Sequence, residues 1–268
     1  MDITERKAVL CVSGGLDSYG MFIYLRDHVD LLAEYDKVTL LHFQLGSPYE
    51  KKEYDVVQML YPRNLLKVIR IDGWLNESKI DEKNYIIPVR NFVMAHMAVN
   101  FGDDIFIAGI KDENYRSMLD KNSKAFNDLS KLLTQGSGKE VRVMSPFFDN
   151  GWNKVDILEM LLSKGLQMKS DATTSCYHPT QLRCGKCKVC MRRWLAERCV
   201  LYKRRGIKGK NTVMFPDYGV DPQEGCSEEL SKMVEDYTDA YQHGNYEKFH
   251  LDRITRDSIT YLNILLGN

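Results

Sequence analysis

The chain carries no segment built to cross a membrane. No uncharged apolar stretch is long enough to span a bilayer, and Met1-Asp2-Ile3-Thr4-Glu5-Arg6-Lys7 lacks the apolar core of a signal peptide. A cytoplasmic protein without membrane partners is expected. Net charge is also absent, 37 Lys and Arg against 37 Asp and Glu, so any attraction to an anionic partner must be local. One local asymmetry exists: residues 183–210 hold eleven Lys and Arg against one Glu, whereas residues 221–239 are mainly acidic. The two could dock on each other, or the first could meet an anionic partner. There is no internal repeat and no low-complexity tract. With 44% hydrophobic residues in 268, the chain can pack one large domain, alone or with an appendage.

What the sequence does have begins with Ser13-Gly14-Gly15-Leu16-Asp17-Ser18, between the apolar run at residues 8–12 and a helical pattern over residues 18–28. A strand that turns on two glycines into a helix leaves backbone N–H groups and the positive helix end facing outward, where phosphate oxygens dock. The glycines permit close approach, and Ser13 and Ser18 add hydroxyl donors. A carboxylate beside phosphates is repulsive unless a cation intervenes, which assigns Asp17 to Mg²⁺. An ordinary strand-to-helix turn with a serine cap is the alternative for a lone Gly-Gly. The full sequence is neither a P-loop nor a dinucleotide fingerprint. It resembles the pyrophosphate loop of the N-type ATP pyrophosphatases, which cleave ATP between its α- and β-phosphates.

Apolar runs alternate with helical patterns along the chain. Strands are expected at residues 8–12, 38–43, 66–71, 105–108 and 141–144, and helices at 18–28, 51–60, 91–101 and 154–164. This order favours an α/β fold, a doubly wound parallel five-stranded sheet whose ligands bind beyond the carboxyl ends of the strands. The turn His42-Phe43-Gln44-Leu45-Gly46-Ser47 would wrap an adenosine or be a plain surface turn. Residues 72–87 form either a lid or a passive loop. In Pro88-Val89-Arg90-Asn91, Asn91 is expected to cap the next helix, placing Arg90 at the carboxyl edge of the sheet. A guanidinium there suits an α-phosphate that gains charge during displacement; a helix-start salt bridge is the ordinary alternative. Lys111-Asp112-Glu113-Asn114 and the polar residues up to Ser123 could read a heterocycle or simply be solvated. Lys154, at a helix start, is either a phosphate contact or a solvated residue.

Cys176-x₇-Cys184-x₂-Cys187-x₂-Cys190 supplies four thiolates within a short span, and in a reducing compartment such a cluster argues for a metal over disulfides. Four soft ligands fit a tetrahedral, structural Zn²⁺. An iron–sulfur cluster is the rival, and His178 lies too near Cys176 to replace a cysteine comfortably. Cys11, Cys199 and Cys226 read as ordinary small residues of core or surface.

The order of these motifs, with Gly109-Ile110, Pro146, Lys154 and Ser175-Cys176-Tyr177 between the first and the last, resembles the 7-cyano-7-deazaguanine synthase family of the queuosine pathway across residues 7–200. The resemblance implies an adenine nucleotide alpha hydrolase-like ATP pyrophosphatase domain over residues 1–170 and a zinc-binding helical region over 171–268. It implies an AMP-forming, ATP-dependent C–N ligase and nitrile synthase that turns 7-carboxy-7-deazaguanine and ammonia into the nitrile, consuming two ATP. Ser13, Gly14, Gly15, Leu16, Asp17 and Ser18 would then hold the pyrophosphate and Mg²⁺. Arg90, Lys154 and Asp17 would carry the catalysis, Asp120, Lys111 and Arg90 would meet the substrate, and the four cysteines would take Zn²⁺. Around Asp120 the family's Gly-Tyr-Pro-Asp-Cys-Arg reads Ser117-Met118-Leu119-Asp120-Lys121-Asn122, and its Tyr-Gly-Gln after the second strand reads Leu45-Gly46-Ser47. These departures fall on substrate and adenosine contacts.

Two other readings follow. One is a divergent relative that adenylates a different carboxylate or amide, on a small molecule or a protein terminus. The other is a tRNA-modifying or binding protein using Arg192, Arg193, Arg198, Arg204 and Arg205, although their mixing with Trp194, Leu195 and Leu201 suits a solvated helix face. Beyond Leu201, helical patterns at 227–242 and 251–266 end in the apolar stripe Leu262, Leu265 and Leu266, which would pack on the zinc region or form a homodimer.

Overall fold

The computed structural model describes residues 6–28, 33–72, 87, 89–110, 120–174, 176–204, 214–228, 230–232, 234–235 and 238. They belong to two compact units, Met1–Trp152 and Asn153–Asn268.

The first unit alternates strand and helix as the apolar runs predict: β1 (Lys7–Val12), α1 (Leu16–Asp27), β2 (Lys37–Gln44), α2 (Glu50–Leu60), β3 (Leu66–Arg70), α3 (Arg90–Ala98), β4 (Asp104–Ile107), α4 (Ser123–Ser137), β5 (Arg142–Met144) and the single turn α5 (Pro146–Asp149). All strand pairs are parallel, in the order β3-β2-β1-β4-β5, with Val12 opposite His42 and Cys11 opposite Ile107. Side chains alternate between the two faces of a strand. Val9, Cys11, Leu41, Phe43, Ile105, Ile107 and Val143 therefore share one face, where they form a core with Ala95 and Ala98 of α3 and Phe126, Leu129 and Leu133 of α4. Both faces being covered explains why β1 reads as a nearly unbroken apolar run.

The α4 helix was not expected from the sequence. Asn122 caps it, accepting from the Ala125 N–H at 2.8 Å, and Gly138 ends it at φ 69°. At the amino end of β4 the fully buried Asp104 accepts from Arg6 Nε and Nη2, both at 3.0 Å, from Arg142, and from Tyr35 Oη at 2.5 Å. Burial alone would raise the Asp104 pKa, but these donors outweigh it and hold the carboxyl below its ordinary value.

The second unit holds α6 (Lys154–Ser163), α7 (Gln167–Ala172), α8 (Lys188–Arg204) and the turn α9 (Pro222–Gly225). A reciprocal pair of bonds between Asn153 and Asp156 caps α6, and α8 packs against it. The basic stretch is only in part a solvated face. Arg193 is buried and bonds Glu197 Oε1 at 2.6 Å, and Arg204 bonds Glu159 Oε2 at 2.5 Å. Arg198 is exposed over the Trp194 ring, 5.6 Å from its centre. Two of the five arginines proposed for nucleic acid are thus engaged internally, and Arg205 lies outside the described residues. Of the tail patterns, the described parts of residues 227–238 are helical, and residues 251–266 lie outside the description.

Candidate active site and metal centre

The chain runs from β1 to β2 and β3 on one side and returns to β4 on the other, so the sheet order reverses between β1 and β4. Ligands of open α/β sheets bind at the carboxyl ends beside such a reversal. Ser13, Gly14 and Gly15 leave β1 at this place. Gly15 is the N-cap of α1 in extended conformation, φ −80° and ψ 157°, and offers no side chain to the helix start. The first-turn N–H groups and the helix dipole are therefore presented without a competing cap, as an anion requires. Asp17 is half-buried in that first turn.

Both serines brace the loop. Ser18 Oγ accepts from the Ser13 N–H at 3.1 Å and lies 2.9 Å from Ser13 O and 3.2 Å from Gly15 O, to either of which it donates. Ser13 Oγ accepts from the Gly15 N–H at 3.2 Å. Sequence reasoning missed a third member, Tyr61, whose hydroxyl lies 3.1 Å from both Ser18 Oγ and Ser13 O. No local pattern around Tyr61 signals this, since its partners are 43 and 48 residues away.

On β2, His42 Nδ1 lies 3.1 Å from Val12 O, the carbonyl just before the loop; a carbonyl only accepts, so Nδ1 carries the hydrogen. Its ring stacks on Tyr54 at 5.8 Å, and Nε2 is buried without a hydrogen-bond partner among the described residues. The turn after β2 is pinned by Glu50, whose carboxylate accepts from the Gly46 N–H at 2.6 Å.

At the end of β4, Gly109 is fixed by Ser145, which accepts from its N–H at 3.1 Å and donates to its carbonyl at 2.7 Å; a Cβ here would sit 2.9 Å from Lys121 O. The motif residues Gly109 and Pro146 are thereby neighbours across β4 and β5. Arg90 opens α3, and Asp120 is bonded to the residue that follows it. Asp120 Oδ2 accepts from Asn91 Nδ2 at 2.7 Å and the Asn91 N–H at 3.3 Å. Asn91 is therefore not the cap: Val89 occupies that position at φ 53°, the one non-glycine residue with positive φ among those described. For a β-branched residue such a backbone costs about 1–3 kcal/mol, the kind of strain found where a following side chain must be aimed. Pro88, Lys111 with Asp112, Glu113 and Asn114, Ser117, Met118 and Leu119, and nearly all of the suggested lid lie outside the described residues. In the second unit Lys154 opens α6 and is buried, not the solvated helix residue of the ordinary alternative.

The four cysteines converge. Their sulfurs all lie within 4.8 Å of one another, Cys184 and Cys190 at 3.9 Å. Backbone N–H groups of Cys184 and His178 approach Cys176 Sγ at 3.3 and 3.4 Å, and that of Lys186 approaches Cys184 Sγ at 3.4 Å, arrangements that favour thiolates. Hydrogen bonds from Cys187 and Cys190 pull the Cys176 thiol below its ordinary pKa. A tetrahedral ion with Zn–S near 2.3 Å sets sulfurs roughly 3.8 Å apart, so this spacing can hold one metal ion. His178 supplies only its backbone to the group. Gly185 makes the knuckle possible: at φ 77° it lies so close to a crossing segment that a Cβ would come 1.7 Å from Val220 O. That segment is bound by Gly219 N–H to Arg183 O at 2.8 Å and Val220 N–H to Cys184 O at 3.1 Å. Cys11, Cys199 and Cys226 are all buried. Burial pushes the Cys11 thiol up to about 12, and Cys226 donates to Gly185 O at 3.3 Å.

Comparison with known proteins gives a consistent result. The family model described as "Queuosine biosynthesis protein QueC" matches residues 65–198, half of the chain. The 7-cyano-7-deazaguanine synthase of Pyrococcus abyssi is 29% identical over 230 residues, covering 70% of this chain and 91% of its own. The same enzyme of Prochlorococcus marinus subsp. pastoris is 26% identical over 238 residues, covering 78% and 98%. Among solved structures, U34-tRNA thiolase NcsA from Methanococcus maripaludis with its 4Fe-4S cluster superposes with a TM-score of 0.42 at 15% identity, covering 79% of this chain and 70% of that one. With its parallel sheet, its glycine loop and its cysteine quartet in the expected order, the chain belongs to the QueC family of queuosine-biosynthesis enzymes.

Proposed function

We propose that this chain is a 7-cyano-7-deazaguanine synthase: it uses two ATP to turn 7-carboxy-7-deazaguanine and ammonia into the nitrile, releasing AMP and pyrophosphate each time. The observation that carries the reading is the uncapped start of α1 behind Ser13-Gly14-Gly15, at the reversal of the sheet, in a member of this family. A carboxylate has no usable leaving group. Attack of its oxygen on the α-phosphorus expels pyrophosphate and gives an acyl adenylate; ammonia adds at the acyl carbon, AMP leaves, and a proton is released. The amide oxygen then attacks a second α-phosphorus, and loss of AMP and protons leaves the C≡N bond. Such chemistry needs positioning and charge stabilisation rather than a side-chain nucleophile.

The loop N–H groups and α1 bind the departing pyrophosphate; Asp17 would hold Mg²⁺, which would supply positive charge to that anion. Arg90, at the start of α3, meets the α-phosphate or the activated carboxylate. Lys154, buried at the start of α6, is the second cation that the family resemblance assigns to nucleotide phosphates or the activated carboxylate. Cys176, Cys184, Cys187 and Cys190 hold a structural Zn²⁺. Their close spacing supports a single ion over a cluster, in which each sulfur would sit on a different iron. Asp120 meets the deazapurine.

One observation favours a second reading, adenylation of a different carboxylate: Asp120 Oδ2 is already engaged by Asn91. Incubation with ATP, Mg²⁺, ammonium and 7-carboxy-7-deazaguanine separates the two by mass spectrometry. Conversion of acid to nitrile with AMP release is expected. AMP release without conversion of this acid supports the second reading, and ADP as the nucleotide product overturns both.

A further inference from the structure

The pyrophosphate loop is held by a residue that belongs to neither the loop nor α1. Tyr61 follows α2, is buried, and packs its ring edge-on against Tyr19 and Phe22 of α1 with centroids at 6.0 and 5.3 Å. Its hydroxyl lies 3.1 Å from Ser13 O and 3.1 Å from Ser18 Oγ. Ser18 has one hydrogen to give, and Ser13 O and Gly15 O compete for it. Tyr61 has one as well. A hydroxyl that turned to a phosphate oxygen would leave Ser13 O, and among the described residues Tyr61 is the remaining side-chain donor to that carbonyl.

The direction of that carbonyl matters. In a planar trans peptide the C=O and the next N–H point to opposite sides. A Ser13 carbonyl pinned toward Tyr61 therefore turns the Gly14 N–H away from the packed α2 side. From this geometry we infer that Tyr61 is a positioning residue for pyrophosphate: it keeps Ser13 O satisfied while the Ser18 hydroxyl serves the ligand, and so keeps the Gly14 N–H aimed. The inference rests on the pyrophosphate reading of the loop.

The test is Tyr61→Phe in the full-length protein, which keeps the ring and removes one oxygen. The KM for ATP and the inhibition constant of pyrophosphate both rise about tenfold, an energy of about 1.4 kcal/mol, while kcat stays within about twofold. In a Ser18→Ala background the same change costs more than in the wild type, because Tyr61 is then the donor left to Ser13 O among the described residues. Unchanged constants, or effects that simply multiply in the double variant, overturn the inference. Should Tyr61→Phe fail to fold, ring-fluorinated tyrosine at position 61 keeps the shape and strengthens the donor; it lowers the KM for ATP, and an unaltered KM overturns the inference. Wild-type protein that releases no AMP overturns the reading of the loop and this inference with it. Wild-type protein that releases AMP, with an indistinguishable Tyr61→Phe, overturns this inference alone.

Discussion

One carboxylate, two arginines and one tyrosine occur together twice among the described residues. In the first unit Asp104 takes donors from Arg6, Arg142 and Tyr35. In the second, Glu197 takes them from Arg183 and Arg193, each at 2.6 Å, and from Tyr218 at 2.9 Å. Both carboxylates are buried, but the arginines differ: Arg6 and Arg142 side chains are 33% and 41% exposed, Arg183 and Arg193 only 6% and 9%. Water carries the surplus positive charge of the first group. The second must manage it inside, and Asp171 is close enough to feel both arginines. The same four side-chain types thus make a tolerant cluster at the amino end of the sheet and an intolerant one behind the cysteine knuckle, where Arg183 adjoins Cys184.

Metal removal should separate the clusters most. A strong chelator is expected to abolish hydrogen-exchange protection across residues 184–204 while amides of β1 keep theirs, because folding of a thiolate site is metal binding. Glu197→Gln comes next: two buried guanidinium groups lose their anion, a loss of about 3–5 kcal/mol in denaturant unfolding. Asp104→Asn should cost less, roughly 2 kcal/mol, since Arg6 and Arg142 can rehydrate. Equal losses in the two variants would erase the distinction drawn from exposure.

Acid sharpens the contrast. The Asp104 carboxyl is held below its ordinary pKa, so its stabilisation is present above the unfolded value and is lost as pH falls through the folded one; Asp104→Asn should flatten the acid limb of a stability–pH curve. Asp171 has the opposite sign. Burial raises its pKa despite the pull of Arg183 and Arg193, and its Oδ1 has no partner among the described residues. Its contribution is present at low pH and lost as pH rises through the folded value. Asp171→Asn should therefore raise stability at neutral pH slightly, by less than about 1 kcal/mol.

These contrasts also explain what the sequence could convey. The five strands and the glycine loop were legible because a parallel strand is a short apolar run and a phosphate loop is contiguous. The cysteine quartet was legible for the same reason of spacing. The α4 helix had its signals in Asn122, in Phe126, Leu129 and Leu133, and in Gly138, but the polar residues before it read as loop. Arg193 and Glu197 stand four apart, as a helix pair would, yet no local pattern says that the pair is buried. Tyr61 with Ser13, and Asp120 with Asn91, join distant segments, and the left-handed Val89 displaced the cap expected of Asn91. Such facts depend on a partner supplied by the fold.

Position 185 shows how a crossing chain legislates for a distant residue. With Val220 O where a methyl group would be, any alanine there must first displace the segment of residues 219–226 from its seat. Homologues that keep the knuckle but have shed or rerouted that segment would be free to vary at 185, whereas those that retain it are bound to glycine; the two features should be inherited or abandoned together.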